Sequence, residues 1–425
     1  MINIFDIKKA LDSNKEVNLY TVNELKENRY ELYFVLDKVE TARLVNVITY
    51  HITVYKKYGE ELGSYSYELN SASSLDELNK SIEVALSRSE FSKNKLFDLP
   101  EPSKEYLKLQ SNIENEPLED IAFKVSKAIF KADTLKDGWI NSTEIFVNKN
   151  YNHFISSKGV DVNYVSCGLF IELIPTFKGK KEEVELYFSS RTDNVDYDLI
   201  TNDIKDILFQ AKERGEAVAI PEELKNANVI FRNSSVSQIL SYLPRELNYS
   251  GQLRQTSKHK VGDNMDCHLT ITMEPVLSGS ALSCVIDNYG TPLKSIKIIE
   301  DGKAVNLYGE YVEGKLLGVD NPTGSIPNFK VSSKEEYSYS ELTKEPYLEI
   351  YSFSALQLDR FTGFFGGEVR LGMYFDGKKV TPVSGFSVAG NIFTDLNKMK
   401  FSKEHISING YSGPKYFLCP MTVTK

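Results

Sequence analysis

Histidine and cysteine are the side chains that most readily hold a transition metal, and this 425-residue chain has five of the first and four of the second. His51, His153 and His405 are isolated in sequence. His259 and His268 are the close pair, in the segment KHKVGDNMDCH, with Asp263, Asp266 and Cys267 between them. A metal site built from His259, His268 and an acid or Cys can therefore be written down. On a strand, however, Cys267 and His268 point to opposite faces and cannot chelate together without a bulge. The preferred reading of the segment is a polar loop entering a strand. Cys167, Cys267, Cys284 and Cys419 form no CxxC pair and read as buried free thiols.

Other candidate chemistry is weaker. Gly309–Lys315, GEYVEGK, fits GxxxxGK, but Leu316 replaces the Mg-binding Ser/Thr, and Glu310 and Glu313 would repel phosphates. It reads as a hairpin turn. Gly410–Pro414 is not a GxSxG nucleophile elbow. Arg360, Phe361, Phe364 and Phe365 share one short segment with Gly363, Gly366 and Gly367. This segment is either core plus turn or one wall of a peptide groove, where glycine lets a backbone approach closely and add as a strand. The groove residues would be Arg360, Phe364, Gly366 and Gly367.

Fifty basic against 59 acidic residues leave a net charge of -9, with no dense Lys/Arg block, which opposes nucleic-acid binding. Lys178–Lys181 is followed at once by Glu182 and Glu183, as at a solvated hairpin tip. No stretch approaches ~18 apolar residues and the N-terminus lacks a signal-peptide core, so the chain is expected in the cytoplasm, away from membranes.

The elements that would carry these residues divide into two textures. Tyr30–Leu36 and Leu44–Tyr55 read as strands, the second with Ile48, Tyr50, Ile52 and Val54 on one face and His51 on the other. A helix follows Ser74, whose spacing to Glu77 is that of a capping box, with Leu75, Leu78, Ile82 and Ala85 on its apolar face. Asp98–Glu116 is a linker. A second helix starts at Pro117 in its first turn and buries Ile121, Val125 and Ile129. Strands dominate Ser142–Ser190, and a third helix runs from about Asp196 to Ala211, with Gly215 beyond its end. After Pro221 come short strands with turn pairs at Asp301-Gly302, Glu313-Gly314, Gly366-Gly367 and Asp376-Gly377. Only Ser234–Leu243 and Ile392–Met399 look helical there. The expected fold is α+β: an N-terminal mixed α/β domain, residues 1–221, then a mainly antiparallel, barrel-like β domain, residues 222–425.

Several passages together resemble the TldD/PmbA family of zinc metalloproteases, whose members also carry the label modulator of DNA gyrase. They are KERGEAVAIPEELKNANVIF, Asp287–Pro292 with IIEDGKAVNLYGEYVEGKLLG after it, Phe361–Asn391, and the end SGPKYFLCPMTVTK. The likeness runs from about Ala72 to the C-terminus. It implies a two-part α+β fold, a dimeric shell around a cavity, and zinc-dependent cleavage of unfolded or flexible peptides. Catalytic members carry HExxxH on the helix after the strand matched here by Asn228–Phe231, with a downstream Cys as third ligand. This chain has Ser241–Glu246, SYLPRE, at that place and no Cys in Lys400–His405. Pro244 would also break a helix there. The resemblance is therefore closer to the non-catalytic PmbA/TldE-type subunit. It implies no cofactor in this chain, zinc in a TldD-type catalytic partner, and association with that partner or with itself. The alternatives are an active peptidase with a rebuilt metal site and a self-associating scaffold without a protease partner.

Overall fold

The computed structural model describes residues 1–180 and 182–425. The expected Lys178–Lys181 turn includes Lys181, which lies outside them.

The first two hundred residues build one eight-stranded sheet: β1 (Leu19–Val35), β2 (Lys38–Tyr58), β3 (Glu61–Asn70), β4 (Lys93–Lys95), β5 (Gly138–Ser156), β6 (Asp161–Lys178), β7 (Glu183–Glu185) and β8 (Phe188–Thr192). The order is β4-β3-β2-β1-β5-β6-β7, with β8 also on β6, and every pairing is antiparallel. β1 and β2 are far longer than the segments expected, because polar stretches such as Glu24–Arg29 continue the ladder. Alternation sorts the faces. Tyr20, Val22, Leu32 and Phe34 on β1, with Tyr50, Ile52 and Val54 on β2, are buried. Against them pack α1 (Ile4–Ser13), α2 (Leu75–Arg88), α3 (Leu118–Ala132) and α4 (Tyr197–Glu216), through Ile7, Leu78, Ile82, Val125, Ile129 and Ile204 among others.

Caps fix the helix starts. Ser74 and Glu77 form the expected reciprocal capping box, and Asp196 accepts the Asp198 and Leu199 N–H groups. Leu75, placed on the apolar face by its spacing, is 56% exposed at the first turn of α2. Pro117 is the N-cap of α3 and not a first-turn residue. α4 continues through Gly215. A Cβ there would come within 2.8 Å of the Phe177 ring, so the glycine lets the helix close on β6 and does not end it.

The second half holds two further sheets. A nine-stranded sheet contains β9 (Val218–Ala219) and β10 (Asn226–Arg232). Three short helices follow: α5 (Ser234–Leu240), α6 (Tyr242–Glu246) and α7 (Tyr249–Leu253). A six-stranded sheet takes β11 (Leu269–Glu274), β12 (Ile296–Glu300), β13 (Lys303–Ala304) and, after α8 (Tyr311–Leu316), β14 (Asn328–Ser333). Then come β15 (Glu336–Tyr337), α9 (Tyr339–Leu342), β16 (Tyr347–Leu358), β17 (Phe364–Phe375), β18 (Val380–Ser384), β19 (Phe386–Asn391), α10 (Ile392–Asp395), β20 (Lys400–Ser402), β21 (His405–Ile408), β22 (Tyr411–Pro414) and β23 (Tyr416–Thr424).

Pairings β10–β16, β16–β17, β17–β19, β19–β23 and β23–β10 close a five-stranded barrel. Its filling includes Val229, Phe231, Ile350, Phe365, Val388, Phe417 and Cys419. Phe231 stacks on Phe417 with ring centroids 4.7 Å apart. Each such ring contributes on the order of 2 kcal/mol by leaving water. The α+β class with a barrel-like second half is therefore the observed one.

Two expected turns are not turns. Glu313-Gly314 lies inside α8, so the GxxxxGK segment is helical from Tyr311 on. Gly366-Gly367 lies inside β17, paired on one side with β16 and on the other with β19. Asp301-Gly302, both at positive φ, does make the tight β12–β13 turn.

Candidate functional site

The chain leaves β10 at Arg232 and turns at Asn233, whose φ is +52°. α5 then stops at Leu240. A proline at position 244 clashes with the carbonyl four residues earlier, so the helix cannot run on, and α6 starts afresh with Pro244 in its first turn, where an N–H has no partner to lose. SYLPRE is thus helical but bent, and it points inward: Tyr242 is 2%, Leu243 0% and Glu246 1% exposed.

Glu246 anchors what surrounds it. Its Oε2 accepts the Lys258 N–H at 2.6 Å and stands 3.4 Å from Nδ1 of His259. Gln252 Nε2 ties the Glu246 and His259 carbonyls, at 3.0 and 2.7 Å. The Lys258 ammonium donates to the Phe361 carbonyl at 3.0 Å and lies 3.5 Å from the centre of the Phe393 ring, a close cation–π contact. Phe393 in turn packs on Tyr242, centroids 6.1 Å apart. Burial, followed by the Glu246 charge, pushes the Tyr242 phenol well above its ordinary value.

The segment brought against α6 is therefore Asn391–Asp395, while His405 lies on β21, 3.4 Å from Glu336. Asn391 Oδ1 caps α10 through the Phe393 N–H, and Asp395 accepts the Asn391 N–H at 2.8 Å. Burial works to raise the Asp395 carboxyl, but that N–H, Lys398 and Thr394 outweigh it and hold it below the usual range.

A catalytic zinc needs three protein ligands and an open position. The site offers Glu246, already committed to the Lys258 N–H, and one imidazole, with a lysine ammonium close by. Among the described residues no group of three or more His, Cys, Asp or Glu is placed to hold a metal. The donors present do not fit zinc. His268 does not join His259: it is exposed, while its neighbour Cys267 is buried, the opposite-face arrangement expected of a strand entry. Burial raises the Cys267 and Cys419 thiols to about 11 and about 12, and all four cysteines are free.

The groove candidates separate. Gly366 and Gly367 have no open strand edge: a Cβ on Gly366 would sit 2.0 Å from the Val388 carbonyl oxygen and one on Gly367 2.1 Å from that of Ala355. Strand addition is closed off at both positions. Phe364 begins the same strand, half-buried, and pairs with Asn391. Arg360 is on the preceding loop, its guanidinium 5.0 Å from the ring of Phe361, which is 63% exposed.

Sequence reasoning used SYLPRE only for what it lacks and did not see the Tyr242–Glu246–Lys258–His259–Phe393 cluster. The available signal was an acid four residues after a tyrosine in a short segment, YLPRE, that also holds Leu243 and Pro244.

A second polar group lies where α4 meets the barrel. Arg232, 8% exposed, has its guanidinium 3.4 Å from Asp206, 3.8 Å from Glu349 and 4.0 Å from the Tyr351 ring centre. Glu349 also accepts the Tyr339 hydroxyl at 2.7 Å. Beside it Asp203 and Asp206 line a cavity of about 500 Å³.

Residues 225–425 match the family model of the PmbA/TldA metallopeptidase C-terminal domain. No curated protein sequence matches the chain. Among solved structures, a protein named as a DNA-gyrase modulator from Thermotoga maritima superposes with a TM-score of 0.80 at 15% identity, over 99% of this chain and 100% of that one. TldE from Thermococcus kodakarensis gives 0.80 at 18% identity, over 99% of each chain. A protein named as a DNA-gyrase modulator from Bacteroides thetaiotaomicron gives 0.79 at 17% identity, over 99% and 97%. These likenesses carry the fold over the whole chain, and residues 225–425 carry the PmbA/TldA metallopeptidase C-terminal domain.

Proposed function

We propose that this chain is the non-catalytic, TldE-like subunit of a cytoplasmic metallopeptidase complex acting on unfolded or flexible peptides, with zinc and the water-activating groups supplied by a TldD-type partner. One observation carries the reading. At the place where catalytic relatives carry HExxxH, Tyr242 and Glu246 are buried, and Glu246 is used to hold the next loop. Activating water at neutral pH needs a metal or its equivalent, and that helix has no imidazole to contribute.

A free strand edge supports association with a partner or a second copy. β3 pairs with β2 only from Thr49 to Tyr58, so Lys38–Val47 of β2 is bonded on the β1 side alone among the described residues. Val39, Leu44 and Val47 on it are 47%, 67% and 44% exposed. Such an edge is a template for another strand. Direct DNA contact is not part of the proposal, given the net charge of -9. No helix among the described residues is long and apolar enough to cross a membrane.

The test is elemental analysis of the purified chain after incubation with excess zinc and gel filtration. The expected content is far below one zinc per chain. About one zinc per chain, lost in His259→Ala, would overturn the reading in favour of a rebuilt site.

A further inference from the structure

The face of the N-terminal sheet turned away from its helices is polar by the same alternation that makes the other face apolar. Thr21 and Asn23 on β1, His51, Thr53 and Tyr55 on β2, and Ser64 and Ser66 on β3 follow one another at every second residue. With the segment 286–312 across from them they enclose a cavity of about 540 Å³.

Its lining is one-sided in charge. Two carboxyls, Asp287 and Glu310, face it, and no lysine or arginine does. Arg254, whose charge is felt at Glu310, pairs with Glu313 at 3.8 Å and is not part of the lining. Asp287 is 7% exposed. Its Oδ1 accepts the N–H groups of Tyr289 and Thr291, both at 2.9 Å, and Oδ2 is closed off beside the Gly324–Ser325 backbone. Burial raises both carboxyls above their ordinary range, and Glu313 adds to the effect at Glu310. A buried carboxylate without a counter-charge is costly unless something supplies one.

The remaining walls are aromatic. Tyr55 and Phe97 meet edge to face at 5.8 Å, and Tyr164 and Tyr289 complete the surround. Aromatic faces attract cations and exclude anions. A hydrated metal ion would want further oxygen or nitrogen ligands, and no three-ligand group exists among the described residues.

We propose that this cavity binds an organic cation, an ammonium or guanidinium group on a small apolar stem, with Glu310 as the contacting counter-ion, the Asp287 charge behind it, and the Tyr55 and Tyr289 rings as walls. The inference stands apart from the peptidase reading, since it uses neither the α6 site nor a partner.

Calorimetric titration of the full chain at low ionic strength tests it with three probes of matched shape: N-acetyl-lysine methylamide, N-acetyl-arginine methylamide and N-acetyl-norleucine methylamide. At least one cationic probe is expected to bind, about tenfold or more tighter than the neutral one. Glu310→Gln is expected to weaken that binding by about tenfold. Ser66→Lys, which brings a built-in cation to an exposed lining position, should abolish it while leaving the melting temperature unchanged. Equal binding of the norleucine probe, no binding of either cation up to roughly 10 mM, or undiminished binding by a folded Ser66→Lys variant would each overturn the proposal.

Discussion

Glu246 and His259 stand 3.4 Å apart, carboxylate to imidazole, at the end of α6. The carboxylate also takes the Lys258 N–H, so in this chain the acid fastens α6 to the loop after α7. Glu246→Ala should leave that part-buried N–H without its acceptor and cost about 1–2 kcal/mol. Glu246→Gln, which keeps an acceptor, should cost less than about 1.5 kcal/mol. Urea denaturation midpoints with unchanged slopes check both. An alanine variant within about 0.5 kcal/mol of the parent would mean the carboxylate is not structural.

Gly366 and Gly367 are held between two strands at φ of +142° and +157°, with a carbonyl oxygen about where a Cβ would go. Alanine at either should destabilise by about 2–4 kcal/mol, through strain and broken pairing. Gly385, at φ +71° with open space around it, is the control, and alanine there should cost only about 1 kcal/mol. Equal losses at all three would show that the barrel does not close as described.

Asp203 gives the pH dependence. Burial first, then the neighbouring Asp206 charge, raise its carboxyl to about 6. A folded carboxyl above its unfolded value of 3.8 holds its proton longer in the native state. Its effect is therefore to lower stability as pH climbs from about 4 to above 6, and the penalty is complete at neutral pH. Asp203→Asn should be close to neutral at pH 4 and more stable than the parent at pH 7.5, by on the order of 2 kcal/mol. Thermal unfolding of both proteins across that range checks the sign; a gain confined to acid pH would contradict it.

The free stretch of β2 makes a prediction about assembly. Leu44→Lys and Val39→Lys place charges on an edge that another strand would cover. Light scattering should show weaker self- or partner association in the double variant, with the circular dichroism spectrum and melting temperature unchanged. An unaltered assembly would move the interface elsewhere.

Local patterns reached the periodic parts of this fold and missed what depends on distant chain. The Ile48–Val54 alternation, the Ser74–Glu77 box and the Asp301-Gly302 turn were readable because their physics is contained in a few residues. α8 was missed because GEYVEGK carries two glycines, and its helix exists only as packing permits: Gly314 sits where a Cβ would press on Pro322 and Tyr249. Gly366-Gly367 looked like a turn because the oxygens that crowd it come from Val388 and Ala355, elsewhere in the chain. At the candidate site, the absence of histidine from Ser241–Glu246 was legible. The burial of Glu246, and its union with Lys258 and Phe393, were not, since three separate segments must fold before they meet.

The central claim is that this chain contributes structure and a partner contributes the metal. The most direct measurement is hydrolysis of one unstructured peptide by three samples: this chain alone, a zinc-bearing family member from the same source alone, and the two mixed in equal amounts. The expected result is no cleavage by this chain, little by the zinc-bearing chain, and chelator-sensitive cleavage by the mixture. Chelator-sensitive cleavage by this chain alone, or a zinc-bearing chain that cleaves equally fast without it, would contradict the account.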